Sequence, residues 1–263
     1  MISSLKFRFK MLYKYKDLLI LLVQRDIKLK YRRSFLGYVW SVLNPLLSMI
    51  VMVIVFSHMF SRGIENFPVY LICGNIMFNF MRESSTLAMN SIISNAGLLK
   101  KVYVPKYIFT LSKVTSCFVN FLFSLGALLI VMIVTKTRFT LYFFMIVVPI
   151  AELYVFCLGL GMFLAAAAVF FRDIRNIWGV VTLAWMYMTP IFYSIDNVSP
   201  VLRYWIPKLN PMYIYITQVR DFVIKGRMTW PVLMGRGALV AAVMMAIGLF
   251  VFGKAKDKFI LHI

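Results

Sequence analysis

A chain of 263 residues that is 62% hydrophobic and 14% charged, with 24 Phe and 18 Met, carries more apolar side chain than a water-soluble fold of its size can bury. A soluble enzyme is therefore excluded, and with a mean hydropathy of +0.85 the chain reads as an all-α integral membrane protein. A net charge of +20 would suggest a nucleic-acid partner in a soluble chain, but here the positives sit mostly in loops beside apolar spans. Orientation and anionic headgroups account for them, and no nucleic acid is expected.

Ten of the lysines and arginines fall in the first thirty-three residues and stop where the first apolar run begins. Such clusters mark the cytoplasmic flank of a span, so the N-terminus is expected inside. A cleaved signal is not expected, because the charged stretch is too long and no small-residue cleavage site follows. From Asp17 to Arg33, Ile20, Val23, Ile27 and Tyr31 recur at three and four residues, while Arg25, Lys28 and Arg32 take the opposite face. This pattern predicts an amphipathic helix lying on the inner surface, N-capped by Asp17. A flat helix must bend steeply to become a spanning one, and Leu36-Gly37 is the expected turn.

Six apolar runs approach the roughly 20 residues a membrane crossing needs. They are Phe35 to Phe60, Val69 to Ile93, Ile108 to Val134, Thr140 to Phe171, Trp178 to Tyr193 and Met234 to Phe252. The second is interrupted by Arg82 and Glu83, and the fifth is short and closed by Pro190. On this topology eighteen basic residues lie inside and eight outside, which puts both termini in the cytoplasm.

Between spans two and three, Gly97 to Pro105 predicts a short amphipathic turn of helix facing the cytoplasm, where another protein could grip it. Ser194 to Pro231 is too long and too apolar for a plain loop. It predicts two short re-entrant helices at the outer interface, the second opened by Asn210 as N-cap and Pro211 in the first turn. The organisation expected is a single domain over 1–263: interfacial helix 1–34, six-helix membrane region 35–253 and cytoplasmic tail 254–263.

Four charges fall at one depth in the inner half of the membrane: Arg82, Glu83, Lys113 and Glu152. Their formal charges sum to zero, so a buried network with Arg82 on Glu152 and Lys113 on Glu83 is expected to brace spans two to four. Cys73, Cys117 and Cys157 all lie in apolar spans and read as packing residues. Two histidines and nine acidic residues give no metal spacing, and Asp26, Asp173, Asp196 and Asp221 are scattered, which argues against a membrane glycosyltransferase or phosphatase. No Gly-rich loop before Lys-Ser or Lys-Thr is present to hold a nucleotide. ATP and Mg would belong to a partner polypeptide, and this chain needs no cofactor of its own.

The blocks Arg25-Asp26-Ile27-Lys28, Tyr31-Arg32, Leu36-Gly37, Trp40 and Asn44-Pro45-Leu46 resemble the opening signature of the ABC-2 type permeases that export cell-surface polysaccharides. These include the O-antigen, capsule and wall teichoic acid exporters. Leu99-Lys100-Lys101-Val102-Tyr103-Val104-Pro105, Phe171-Arg172-Asp173-Ile174, Thr189-Pro190-Ile191-Phe192-Tyr193, and Asn210-Pro211-Met212 with Arg220 follow in the family's order. Lys106 stands where many members have Arg, and Arg82 departs from the second-span pattern.

The resemblance implies a homodimeric permease of the bacterial inner membrane carried by two copies of a cytoplasmic ATPase. A lipid-linked glycan would move outward along spans one and five. It also implies that Gly97, Leu98, Leu99, Lys100, Lys101, Tyr103 and Pro105 couple to the ATPase. The N-terminal helix would gate the cytoplasmic mouth, with Leu36 and Gly37 beside the lipid-diphosphate entrance. Arg25, Lys28, Arg32 and Arg33 could hold that diphosphate or could rest on membrane headgroups. Aromatic contacts suit a sliding sugar polymer, so Tyr38, Trp40, Trp185, Tyr187, Tyr193, Tyr213 and Tyr215 are the path candidates, each with packing as its alternative. A permease for drugs or other lipids is the competing reading.

Overall fold

Hydrocarbon leaves no water to satisfy backbone N–H and C=O groups, so long runs of Leu, Ile, Val, Phe and Met satisfy them internally as helices. In the computed structural model, which describes residues 13–32, 34–60, 64–101 and 104–259, every regular element is helical. Arg33, Val102 and Tyr103 lie outside the described residues.

Helix α1 (Lys16–Tyr31) begins at Tyr15, with Asp17 inside the first turn and no side-chain cap. The N-cap expected of Asp17 is therefore not formed, although its charge still favours the positive end of the helix. A 3-10 turn over Gly37–Val39 leads into α2 (Trp40–Phe60), and α3 (Phe67–Ser94) follows. The four-residue α4 (Ala96–Leu99) precedes α5 (Tyr107–Val134). A 3-10 segment over Leu141–Ile146 runs into α6 (Val147–Phe170), then α7 (Ile174–Met188), α8 (Pro200–Leu209), α9 (Pro211–Val223) and α10 (Pro231–Ala255).

Among the described residues four segments are long and apolar enough to cross a membrane: Gly37–Ser57, Tyr107–Val134, Leu141–Phe170 and Pro231–Lys258. Helix α3 is as long as α5, at 28 residues, but carries Arg82 and Glu83 together with buried Ser84, Ser85 and Ser91. Helix α7 has 15 residues and stops at Met188, short of the expected Tyr193. Pro190 forces the residue before it out of the helical region, and Thr189 is extended, at φ −99 and ψ 129.

The core is the packing of α3, α5, α6 and α10. Helices α6 and α10 make the closest approach, where small residues let the backbones meet. A Cβ placed on Gly159 would lie 2.5 Å from the Met245 Cα, and one on Gly248 would fall inside the Gly159 carbonyl. On the other side of α6, a Cβ on Gly161 would sit 2.7 Å from the Ala88 Cβ of α3. Helices α2 and α7 lie outside this block, each with much of its surface uncovered. The buried face of α7 is one stripe, Trp178, Thr182 and Trp185, fixed by the Trp178 indole N–H donating to Ser85 Oγ at 3.1 Å.

Candidate functional site

Helix α1 is fastened to the bundle by three polar contacts along one side. Lys113 Nζ of α5 lies 2.9 Å from Asp26 Oδ2, Lys30 Nζ lies 2.6 Å from Glu83 Oε1 of α3, and Tyr31 Oη donates to Asn120 Oδ1 of α5 at 3.1 Å. Arg25 also approaches Asp26, at 3.1 Å. Burial alone would lower the Lys30 ammonium, but the hydrogen bond and charge of Glu83 outweigh it and hold Lys30 above its ordinary pKa.

Immediately after α1 the chain reverses. Gly37 has φ +48, a left-handed conformation with open space around it, and its N–H donates to Ser34 Oγ at 3.3 Å. Glycine adopts this angle without a Cβ clash, which explains why the bend falls here. Tyr38 packs back on Tyr31 with the ring centres 5.0 Å apart and the planes tilted by 55°, and Trp40 begins α2 half-buried.

Beneath this bend lies a cavity of about 670 Å³ walled by α1, α2, α3, α5 and α7. Its lining is unusually polar for such an apolar chain. Helix α2 contributes Ser41, Asn44 and Ser48, α3 contributes Asn79, Arg82, Glu83 and Thr86, α5 contributes Asn120 and Ser124, and α7 contributes Thr182. Tyr31, Phe80 and Phe121 add ring surface. The neutral amides and hydroxyls among these match hydroxyl-rich ligands, and the rings match the weakly apolar faces of sugars. Their sequence signal is polar residues repeating at three and four positions inside apolar helices. None of the seven aromatic path candidates lines the cavity. A second groove on the outer side of α1, about 630 Å³, does gather Arg25, Lys28 and Arg32 of the basic cluster.

The expected four-charge network is not formed. Glu83 is taken by Lys30 and Lys113 by Asp26, both partners coming from α1, whose charges reach down to neutralise the spans. Glu152 is buried at the far end of α6, where Gln218 Nε2 of α9 donates to it at 2.9 Å beside the space left by Gly237. Arg82 faces the cavity, exposed, and makes no ion pair among the described residues.

Two aromatic candidates are engaged in packing, one of them, Tyr215, completely. Tyr215 is fully buried and its hydroxyl donates to the Gly237 carbonyl at 3.2 Å, so it cannot touch a passing molecule. Trp185 packs against Phe78, Phe156 and Trp178 and donates to Asn210 Oδ1 at 2.8 Å. Tyr187 is exposed, whereas Tyr193 and Tyr213 are half-buried at the end of the bundle opposite α1.

There, the non-helical Thr189 to Tyr193 stretch is held by Asn210, Arg220 and Tyr70, whose hydroxyl donates to the carbonyls of Pro190 at 3.1 Å and Tyr193 at 2.7 Å. Asn210 caps α9 by accepting from Met212 N at 3.0 Å and donates to Thr189 Oγ1 at 2.9 Å. Buried Arg220 donates to the carbonyls of Pro190 at 2.7 Å, Tyr70 at 3.0 Å and Ile191 at 3.3 Å, and stacks on the Tyr70 ring at 3.3 Å. The Pro190 and Ile191 carbonyls, beyond the end of α7, thus find donors without water.

At the α1 end, α4 presents Leu98 outward with Lys100 and Lys101, but Leu99 turns into the core. Leu99 is therefore not available as a gripping residue. Gly97 stands in open space. Just beyond Pro105, Lys106 donates to the Lys256 carbonyl and lies over the ring of fully buried Phe259, tying this segment to the end of α10. Burial there lowers the Lys106 pKa below the usual lysine range.

No group of three metal-ligating side chains occurs among the described residues. Residues 17–224, most of the chain and all of the cavity wall, match the family model described as ABC-2 type transporter. The chain belongs to the ABC-2 type transporter family. It is 30% identical to the O-antigen export system permease protein RfbA of Myxococcus xanthus over 94% of this chain and 96% of that one. It is 28% identical to the RfbA of Klebsiella pneumoniae over 97% and 98%. The capsule polysaccharide export inner-membrane protein CtrC of Neisseria meningitidis serogroup A is 25% identical over 70% and 71%. The ABC-2 match thus takes in α1, the Gly37 bend, the cavity and the Arg220 anchor together.

Proposed function

We propose that the chain is the membrane subunit of an exporter for a lipid-linked cell-surface polysaccharide of the O-antigen, capsule or teichoic acid type. The observation that carries this reading is the polar-walled cavity, open on a flank where α2 and α7 present uncovered faces. A second copy placed across α2 and α7 would turn two half-cavities into one enclosed path. Relatives named as export permeases over nearly the same length support the substrate class. On this reading the chain crosses six times, with α3 the second crossing and α7 plus Thr189 to Tyr193 the fifth, while α8 and α9 dip into the outer interface. Both termini are cytoplasmic in a bacterial inner membrane. ATP and Mg are bound by a separate ATPase docked beneath α4.

The test is to fill the cavity. Gly179 has open space around it and Ser48 faces it from α2, so tryptophan at either position occupies the path without breaking the core. In inside-out vesicles containing the partner ATPase, Gly179→Trp and Ser48→Trp are expected to lower ATP-dependent uptake of labelled lipid-linked polysaccharide by about tenfold, while Gly179→Ala is neutral. Unchanged uptake in both tryptophan variants would place the path elsewhere.

A further inference from the structure

We propose that Arg82 is the seat for a phosphate ester of the transported molecule, inside the polar cavity and separate from the basic groove on α1. This rests on the reading of the chain as an exporter of a lipid-linked glycan. Arg82 lies fifteen residues along α3 from Phe67, about 22 Å at helical rise. A guanidinium at such depth is costly in a membrane and is kept where it faces a cavity or finds a counter-charge.

Charge pairing decides which of these applies. Around the cavity and the adjoining face of α1 the acids are Asp26 and Glu83, and both are already occupied. Asp26 sits between Lys113 at 2.9 Å and Arg25 at 3.1 Å, and Glu83 holds Lys30 at 2.6 Å. Among the described residues Arg82 pairs with neither carboxylate nor any other, and its side chain is exposed into the cavity. Among the described residues of the cavity wall, Lys30 and Glu83 cancel each other, and Arg82 is left as an unpaired positive charge among amides and hydroxyls. An anion is what such a wall selects. The planar fork of arginine engages two phosphate oxygens at once, while Asn79 and Thr86 lie on the same helical face, three and four residues away.

The same chemistry could come from a bilayer phospholipid, so the test separates the sources. The full-length chain with its ATPase partner is placed in phosphatidylcholine nanodiscs and titrated with a polyprenyl diphosphate, with phosphatidylglycerol as competitor. Arg82→Gln is expected to weaken diphosphate binding by about tenfold or more, with Arg82→Lys intermediate because it keeps the charge but loses the fork. Arg203→Gln, which breaks an exposed pair with Asp196 on α8's side, serves as the control and should bind as wild type. Thermal stability without ligand should be the same for Arg82→Gln and wild type.

Binding by Arg82→Gln within about twofold of wild type would overturn the seat and leave the exporter reading standing. Equal competition by phosphatidylglycerol would assign Arg82 to headgroups instead. A stability loss in Arg82→Gln that Arg82→Lys restores would assign it a protein partner, such as the second copy. Failure of the wild type to bind the diphosphate would overturn both this proposal and the reading beneath it.

Discussion

Replacing Asp26 by Asn tests whether α1 is held down by charge or merely by its apolar face. The Asp26 and Lys113 side chains are 10% and 18% exposed, so their attraction is screened far less than that of Lys30 and Glu83, at 39% and 41%. Breaking a buried pair from one side costs about 3–5 kcal/mol, and the partial exposure here reduces the expected cost of Asp26→Asn to about 2 kcal/mol. Lys113→Met should cost less, about 1 kcal/mol, because Asp26 keeps Arg25 at 3.1 Å whereas removing Asp26 leaves Lys113 stranded. The coupling between the two substitutions is then about 1 kcal/mol, against about 0.5 kcal/mol or less for Lys30→Met with Glu83→Gln. Unfolding free energies from SDS titration in mixed micelles, measured on both double-mutant cycles, give these quantities. A coupling near zero for Asp26 with Lys113, or a larger one for the exposed pair, would refute the argument that burial sets which clasp matters.

Gly37→Val forces a β-branched side chain to φ +48, at a cost of about 1–2 kcal/mol, and should reduce glycan export well beyond any fall in membrane-inserted protein on immunoblots. Gly248→Val drives α10 off α6 and should lower the detergent melting temperature, consistent with overpacking of about 1–3 kcal/mol, whereas Gly253→Val, in open space, should not. Arg220→Lys cannot reach three carbonyls as a fork does; Pro190 keeps the Tyr70 hydroxyl and Tyr70 lies within α3, so the Ile191 carbonyl is the one left without a donor, at a cost of about 1–3 kcal/mol in the same SDS titration. Leu98→Ser should uncouple ATP turnover from export with stability unchanged, while Leu99→Ser, whose side chain is buried, should lower stability instead.

Elements with a strong local cause were legible in the sequence. Hydrophobic length gave the long helices to within a few residues, the Asn210-Pro211 pair gave the start of α9, and glycine gave the bend at 37. What failed depended on which faces meet in space. Depth counted along each span put Arg82, Glu83, Lys113 and Glu152 in one layer, but depth carries no azimuth, and α1 supplied counter-charges from outside the spans. Aromatic residues drew attention because they suit sugars, yet Tyr215 is a core residue whose hydroxyl has a backbone partner. The cavity wall instead uses small amides and hydroxyls such as Asn44, Ser48, Asn79 and Asn120, whose helical spacing is visible in the sequence although no one of them stands out by residue type.

The bond from Lys106 to the Lys256 carbonyl, with Phe259 beneath it, has a mechanical consequence. It closes a loop of stiff contacts: the segment after α4 is joined to the end of α10, α10 is seated on α6 at Gly159 and Gly248, and α6 is seated on α3 at Gly161. Packed interiors compress little and transmit strain, so a load applied near α4 spreads through this frame with little loss. Compliance is left to the parts hung on its side, α7 by a single stripe and α1 by its three clasps. Displacement therefore gathers at the cavity walls outside the frame, α1, α2 and α7.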